Sequence, residues 1–591
     1  MPIHYCYQCT TRVSVRVLRC GYLDYSEAFR KKFCTYMNDT SASCVLPSHA
    51  ERDVVRTGNA FLCGSVANES ARRVVALNML HVDIITDTLT ALAKTVKEAT
   101  DNKILILAFY GYIWTASWPE FGGYGTNLVS YGHLSARALL DSPHIDGLVA
   151  PYIYDVRTRS QTSPLFPQVP YSSVAHKNKL MIVEDDLRTG ILGDGPKSAT
   201  KLVRAQRGYQ WCFDLSCAQN MMRRNILSQT MLQVGSYRFD LMGAGWFGMN
   251  DTAHHRADTA ALWKTIGHAT HSIAAVDPLN GPLPVPEIAV FIDERAALTQ
   301  PIDGHSWGAW AIDGVLAQIG QLGAPRRHFY TDDLPTIDRS TIKFAIFPNA
   351  FAPSQAVRDA LSAWQNNGSM NTTFLFTGPA GLVQTDARDA SKECTVKGSA
   401  ISEFVGIPGM RLDVSANYTK TVINGELTPE EEAAFPGISE LKNTTYGDTA
   451  RVYSPVALGK TGTDDTSTNL GFIGNQAGEA SLVASKLRGG GWSIVSAARH
   501  IPAALYLVFA KAAGVHIYGN GTDTDVVASG NGLYVHAIGP TEATTRNGTR
   551  TVHLPSAMLV MDEDGHKVCS TACTSFDVAL EAGSSKLFII T

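Results

Sequence analysis

The sequence predicts an α/β protein assembled from three successive parts. Three observations carry that prediction. Up to about Met242, short apolar runs that close on polar or aromatic residues alternate with helical patterns, the βα repeat of a barrel or a parallel sheet. Four prolines fall within residues 274–287, and the same alternation restarts beyond them. From about residue 520 only short alternating strands with Gly, Asn and Asp turns remain. At 591 residues the chain is also too long for a single core. The expected parts are residues 1–280, 285–518 and 520–591.

Residues 1–23 hold no Asp or Glu, yet carry Arg12, Arg16 and Arg19 among alternating valines, a pattern that allows a strand at Arg12–Leu18. The stretch DYSEAFRKKF follows from Asp24, with Ser26 placed to cap a helix that sets Phe29 and Phe33 on one face. Residues 36–70 read as a loop. A long helix is expected over about 72–100, with Val75, Leu80, Ile84, Leu92 and Val96 in its apolar stripe. Strand Ile104–Phe109 closes on Tyr110, Tyr112 and Trp114. A helix starts near His133, whose ring suits a helix-start or loop hydrogen bond. Strand Ile145–Ala150 closes on Tyr152 and Tyr154.

The next stretch, KLMIVEDDLRT at Lys179–Thr189, is the most informative in the chain. Leu180–Val183 is too short for a helix and reads as a buried strand. It stops at Glu184, Asp185 and Asp186, with Arg188 just beyond. Charge at the C-terminal end of a parallel strand sits where α/β barrels and open sheets do their chemistry. Helices at about 199–207 and 218–232 and a strand at Tyr237–Met242, closing on Trp246, complete this part.

Beyond the prolines, strands are expected at Ile288–Ile292, near His328–Tyr330, at Phe344–Phe347 and at Phe374–Thr377. Helices at about Trp307–Leu322 and Ser354–Asn366 separate them, making an open α/β domain with a parallel sheet. Its Thr/Asp/Gly-rich middle, about 440–480, reads as an excursion. The part contains no GxGxxG, Walker loop or Gly-flanked nucleophilic Cys, so no cofactor is expected and an amidotransferase-like enzyme is disfavoured. GLYVHAIG, RTVHLP and KLFIIT near the C-terminus suggest a small β-sandwich-like domain.

A net charge of −4 with 18% charged residues gives no basic surplus to attract nucleic acid. No apolar run reaches the length of a bilayer span, so no membrane is expected. Six of the eleven cysteines lie within the first 63 residues. Cys6 and Cys9 have zinc-ligand spacing but no second pair, and no metal is expected. Cys212 with Cys217, and Cys569 with Cys573, are spaced for short disulfides or free thiols alike. Nine Asn-x-Ser/Thr sequons lean towards a secretory route, although no signal-peptide pattern opens the sequence.

In their order, DYSEAF, AFYGYIW, YGHLSARALLDSPHIDGLVAPYIY, KLMIVEDDLRT, EIAVFID, GAPRRHFYTDDL and AGVHIY resemble the glycoside hydrolase family 42 β-galactosidases. The resemblance implies the C-terminal part of a (β/α)8 TIM barrel, then an open α/β trimerisation domain, then a small β domain. Counting back from the prolines, Tyr237–Met242 becomes barrel strand 8 and Leu180–Val183 strand 7, where that family holds its nucleophile. Glu184 is therefore the implied nucleophile of a retaining β-glycosidase. Asp185, Asp186 and Arg188, with Tyr110, Tyr112, Trp114, Tyr152, Tyr154 and Trp246, are its implied substrate-binding neighbours. A carbohydrate substrate and a homotrimer follow by the same resemblance. It also places an acid/base Glu shortly before DYS, where this chain has no acidic residue. The implied barrel lacks that Glu and strands 1 to 3, as in a truncated or mis-spliced product. An inactive carbohydrate-binding or assembly protein is the alternative. Half a barrel exposes apolar strand edges that call for a partner.

Overall fold

The computed structural model describes residues 25–52, 61–63, 68–115, 132–153, 165–185, 215–239, 253–300, 312, 315–384, 395–413, 419–448, 456–458, 467–473, 480–498, 500–519, 521–538 and 548–591. The expected strand at Arg12–Leu18, the Cys6/Cys9 pair, the helix at about 199–207 and Cys212 lie outside these residues.

Helix α1 (Glu27–Tyr36) starts as its sequence dictates: the Ser26 side chain accepts from Phe29 N, and Phe29 and Phe33 are buried. A disulfide between Cys34 and Cys44 ties its end to the following loop. Helix α2 (Glu69–Ala99) is capped by the Asn68 side chain, which accepts from Ser70 N at 3.0 Å. By length and composition this helix could cross a membrane, which corrects the expectation of no such run. Its stripe of Val74, Val75, Leu77 and Leu80 is nonetheless buried within the protein, as in a core helix. Near its end Lys97 pairs with Asp146 at 2.6 Å, fixing the helix against the loop that feeds the second strand.

Strands β1 (Leu107–Phe109), β2 (Gly147–Pro151), β3 (Leu180–Asp185) and β4 (Gly235–Arg238) form a parallel sheet in that order. Between them lie α3 (Ala136–Asp141), α4 (Tyr171–His176) and α5 (Leu215–Met231), and α6 (Ala253–Ser272) follows β4. Side chains alternate across a strand, so the register sorts them by face. Ala108, Leu148, Ala150, Met181 and Val183 face the core and are buried. The other face is open at β1 and at the start of β3, where Leu105, Leu107, Phe109 and Leu180 are 64%, 38%, 45% and 45% exposed, while Val149 of β2 on the same face is buried. This corrects the reading of Leu180–Val183 as buried on both sides. The run of four apolar residues hid an alternation of environments, because each side chain of the open face is as apolar as its buried neighbours.

Beyond the prolines, β5 (Ile288–Ile292), β6 (Arg326–Tyr330), β7 (Phe344–Phe347) and β8 (Thr373–Thr377) pair in parallel in the order β6-β5-β7-β8. The stretch expected to be an excursion instead enlarges this sheet. β9 (Thr419–Ile423), β10 (Thr445–Asp448), β11 (Ser467–Ile473), β12 (Ala480–Lys486) and β13 (Trp492–Ser496) carry it to nine strands, order β10-β9-β11-β12-β13-β8-β7-β5-β6. β13 pairs with β8 in parallel, while β9 to β12 are antiparallel to their neighbours, so the sheet is mixed. Threonine and serine on these strands suit an antiparallel edge that is partly wet, which is why the composition looked like a loop.

The C-terminal strands form two layers over one core. β14 (Thr524–Ser529), β15 (Gly532–Ala537), β19 (Ser585–Ile590) and β17 (Val560–Asp562) make one sheet. β16 (Gly548–Met558) pairs with β18 (Cys573–Leu580) as the other, with Val552, Phe576 and Phe588 between them. A disulfide joins Cys569 to Cys573.

The parts meet around the edge strand β6. Its outward amides would be orphaned, and α4 satisfies them: His328 N donates to Ser172 Oγ at 3.0 Å and Tyr330 N to Ser173 Oγ at 2.7 Å. Tyr171 Oη donates to the Arg326 carbonyl at 2.7 Å. Arg326 itself lies over the Phe166 ring and pairs with Asp525 of β14 at 2.8 Å, with both side chains almost wholly buried. Removing one member of a buried pair strands the other charge, so Asp525→Ala should cost about 3–5 kcal/mol in chemical denaturation.

A second contact between the parts is acidic. Glu294, just past β5, accepts from Ala136 N at 2.9 Å and Arg137 N at 3.4 Å. Asp333 pairs with Arg137 at 3.2 Å and Asp332 with Arg295 at 2.9 Å. Burial, with the Asp332 charge, pushes the Glu294 carboxyl from 4.5 up to about 7. A carboxyl raised on folding lends stability that is complete below its unfolded pKa and lost as pH rises through the folded one. Stability should therefore fall between pH 4.5 and about 7, by on the order of 2–3 kcal/mol from this group. Glu294→Gln should flatten that slope, read as a smaller difference in urea midpoint between pH 5 and pH 8.

Candidate active site

Glu184 sits near the C-terminal end of β3, an interior strand of the parallel sheet, and is half-buried on the open face. Parallel pairing puts Pro151 on one side of it and Tyr237 on the other. The Tyr237 hydroxyl donates to Glu184 Oε2 at 3.1 Å. Burial and the Glu184 charge raise the phenol above its ordinary range, so it remains a donor at any physiological pH. A donor fixed in this way orients the carboxylate and stabilises its ionised form. The exposed rings of Tyr237 and Phe239 flank the position, surfaces on which the C–H face of a sugar can stack.

Asp185 is placed quite differently. It is 0% exposed, on the core face, where Arg238 Nη1 reaches it at 2.5 Å and Asn225 Nδ2 at 3.0 Å. The expected sugar contact from Asp185 is therefore corrected to a buried pair holding β3, β4 and α5 together. Adjacent residues of a strand point to opposite faces, so the sequence already forbade Glu184 and Asp185 from sharing one site.

The aromatic residues divide likewise. Tyr152 is buried on the core side, its hydroxyl bonded to the Gln229 side chain. Tyr110 is buried, with its hydroxyl donating to the Gly132 carbonyl and meeting Thr86 Oγ1 at 3.2 Å. Trp114 is buried with its ring 5.5 Å from that of His328. None of these three can reach a sugar on the open face, so each is corrected to a core role. Tyr112 is half-buried and meets the His133 ring edge-on at 5.0 Å. His133 itself stacks on Tyr110 at 4.9 Å, and burial lowers its pKa to about 4, which leaves it neutral. Tyr154, Asp186, Arg188 and Trp246 lie outside the described residues.

Sequence reasoning missed Tyr237 as the partner of Glu184, along with the Asn225–Asp185–Arg238 cluster. Alternation along the two strands could have found both, since Glu184 pairs with Tyr237 and Asp185 with Arg238 in register. A cavity of about 660 Å³ opens beside β4, lined by Gln229, Ser236, Tyr237, Arg238, Trp263 and Ile273 among others. Among the described residues, Asp562, Asp564 and His566 have ligand-type atoms close enough for a metal. Asp562 Oδ1 already accepts from the backbone N–H groups of Asp564 and His566, which accounts for the cluster as a turn.

Comparison with known proteins adds fold-level likenesses. No family model matches the chain, and no curated protein does. The chain is similar in structure to a β-galactosidase from Bacillus circulans sp. alkalophilus at 12% identity and TM-score 0.47, over 78% of this chain and 68% of that one. A catalytic mutant of a GH42 β-galactosidase from G. stearothermophilus is similar at 11% identity and TM-score 0.45, over 81% and 69%. A β-galactosidase from the psychrophilic Marinomonas ef1 is similar at 10% identity and TM-score 0.45, over 97% and 84%. With identities this low and TM-scores below 0.5, the chemistry has to be read from this chain's own residues.

The two neighbouring carboxylates should respond oppositely to substitution. Asp185→Ala should lose about 3–5 kcal/mol of stability by stranding Arg238. Glu184→Gln should stay within about 0.5 kcal/mol of the parent, as surface changes do. Urea denaturation of both variants checks this.

Proposed function

We propose that the chain is a glycosidase scaffold of the β-galactosidase type, with Glu184 as the nucleophile. The observation that carries this reading is the Glu184 carboxylate at the C-terminal end of an interior parallel strand, on an open face, oriented by Tyr237 at 3.1 Å. In a retaining mechanism this carboxylate attacks the anomeric carbon as the C1–O bond to the leaving group breaks. A glycosyl ester forms, and water later releases the sugar. Asp186 and Arg188, directly after β3, are assigned to sugar hydroxyls, and Tyr154 and Trp246 to the walls. Tyr237, bonded to the carboxylate, and Phe239, two residues on, join them as exposed rings.

A second reading is a carbohydrate-binding or assembly protein on the same scaffold. It is favoured by the composition of the open face. Among the described residues that the register places there, Glu184 alone carries a carboxylate, and a retaining enzyme uses two, about 5–5.5 Å apart. Without a proton donor the leaving oxygen of an ordinary glycoside departs as an alkoxide. Losing such assistance typically costs about 10²- to 10⁴-fold in rate.

Activated substrates separate the two readings. A nitrophenyl β-galactoside needs little protonation, because its leaving group is already a weak base. It should be cleaved by the parent chain, while lactose is cleaved at least about 10²-fold more slowly. Azide should accelerate turnover by replacing water as the second nucleophile, and Glu184→Gln should abolish it. A parent chain that binds galactosides without cleaving the nitrophenyl substrate would establish the second reading instead.

A further inference from the structure

We propose that this chain carries N-linked glycans on Asn38, Asn68, Asn367, Asn371 and Asn443, the five Asn-x-Ser/Thr sequons that fall within the described residues. A glycan is bulkier than the side chain that bears it and strongly hydrated, so a folded protein keeps each acceptor at its surface. A sequon that is never used is under no such constraint. Exposure is the first observation. All five asparagines are exposed, against four of the eleven other described asparagines. Asn38 lies just past α1, and Asn68 caps α2. Asn367 and Asn371 occupy the turn between helix Gln355–Gln365 and β8, and Asn443 lies just before β10. Exposure holds even at Asn371, although the next two residues, Thr372 and Thr373, are buried as the chain enters β8.

The second observation is what each side-chain amide does. Attachment uses the nitrogen, Nδ2. Seven of the eleven other described asparagines donate that nitrogen to a protein acceptor, as Asn78 does to the Leu298 carbonyl at 3.1 Å and Asn349 to the Asp293 carbonyl at 2.8 Å. Among the described residues, none of the five sequon asparagines does so. Asn68 and Asn367 show the reason. Their Oδ1 atoms accept from the backbone N–H two residues on, at 3.0 Å from Ser70 and 3.1 Å from Ser369. Accepting from an N–H fixes which amide atom is the oxygen, and a planar amide then turns its nitrogen away from the backbone.

The cysteines supply an independent observation. All six within the described residues are disulfide-bonded: Cys34 to Cys44, Cys569 to Cys573, and Cys63 and Cys217 each in a further disulfide. Disulfides form and persist in oxidising compartments, and the secretory lumen in which they form is also where asparagine acquires its glycan. Cysteine pairing and the exposure of asparagine have no physical reason to agree in a chain that stays outside that compartment.

The reaction needs a donor of stated class, an oligosaccharide carried on a lipid pyrophosphate. Nδ2 of the asparagine attacks the anomeric carbon, the C1–O bond to the pyrophosphate breaks, and the nitrogen gives up one proton. The lipid pyrophosphate leaves, and nothing is oxidised or reduced. Oδ1 takes no part, so the bonds it makes at Asn68 and Asn367 survive the modification. The cap of α2 is therefore kept in the glycosylated chain.

Peptide mapping of the protein recovered from the cells that make it naturally tests this, after enzymatic release of N-glycans in heavy-oxygen water. Release converts each occupied asparagine to an aspartate that carries the heavy oxygen. A digest without the glycosidase accounts for spontaneous deamidation, which the glycine after Asn367 favours. The expected result is heavy aspartate at all five positions. Cys34, Cys44, Cys63, Cys217, Cys569 and Cys573 should resist a thiol alkylator until they are reduced. A gap at Asn367 alone or at Asn371 alone also supports the proposal, since two oligosaccharides there compete for one turn. A gap at Asn38, Asn68 or Asn443, a gap at both Asn367 and Asn371, or alkylation of any of the six cysteines before reduction overturns it. Cleavage of galactosides enters neither outcome, so the result stands apart from the glycosidase reading.

Discussion

The buried pair between Arg326 and Asp525 is the contact on which the rest of the arrangement depends. Arg326 belongs to the edge strand of the nine-stranded sheet, Asp525 to the C-terminal β layer, and the Phe166 ring under the guanidinium to the N-terminal part. One side chain thus ties three segments that are far apart in sequence. An ion pair at this depth contributes little net stability, because desolvation offsets most of its Coulomb energy. What it enforces is position: a shift of any of the three segments leaves a bare charge in the core. The hydroxyls of Ser172 and Ser173 act in the same sense, since a shift of α4 along β6 would break their bonds to the outward amides of His328 and Tyr330.

That positioning reaches the candidate site through α4 and β3. The helix docked on β6 feeds directly into the strand that carries Glu184, so the hydrogen bonds of Ser172 and Ser173 tie the small sheet to the α/β part. The core face of that sheet is finished by Asp185, Asn225 and Arg238, which pin β3, β4 and α5 together. The open face is where the proposed function places its site. A single alternation sorts the two carboxylates, with one turned inward to hold the strands and its neighbour turned outward beside Tyr237.

Much of this was legible in the sequence where the signal is local. Helix α1 was readable from Ser26 and the spacing of Phe29 and Phe33, and β5 and β7 from unbroken apolar runs at their observed limits. The strand end at Glu184 was legible for the same reason. What escaped needed pairing partners that sequence spacing does not name. The Thr-rich strands β9 to β11 looked like loop because an antiparallel edge tolerates polar residues on its wet side. Tyr110, Trp114 and Tyr152 looked like site walls because an aromatic residue at a strand end is ambiguous until its face is known. Burial turned them into core. The Cys34–Cys44 disulfide depended on a loop path that cysteine spacing leaves open.

Covalent trapping tests the central claim, that the outward carboxylate of β3 is a nucleophile, most directly. A 2-deoxy-2-fluoro galactoside with a good leaving group slows the release step, so a glycosyl-enzyme accumulates and its attachment point can be read by peptide mass spectrometry. The account predicts a single modified peptide containing Lys179–Asp186, with the sugar on Glu184 and none in Glu184→Gln. A sugar on Asp185 or elsewhere in the chain, or equal labelling of Glu184→Gln, would contradict it.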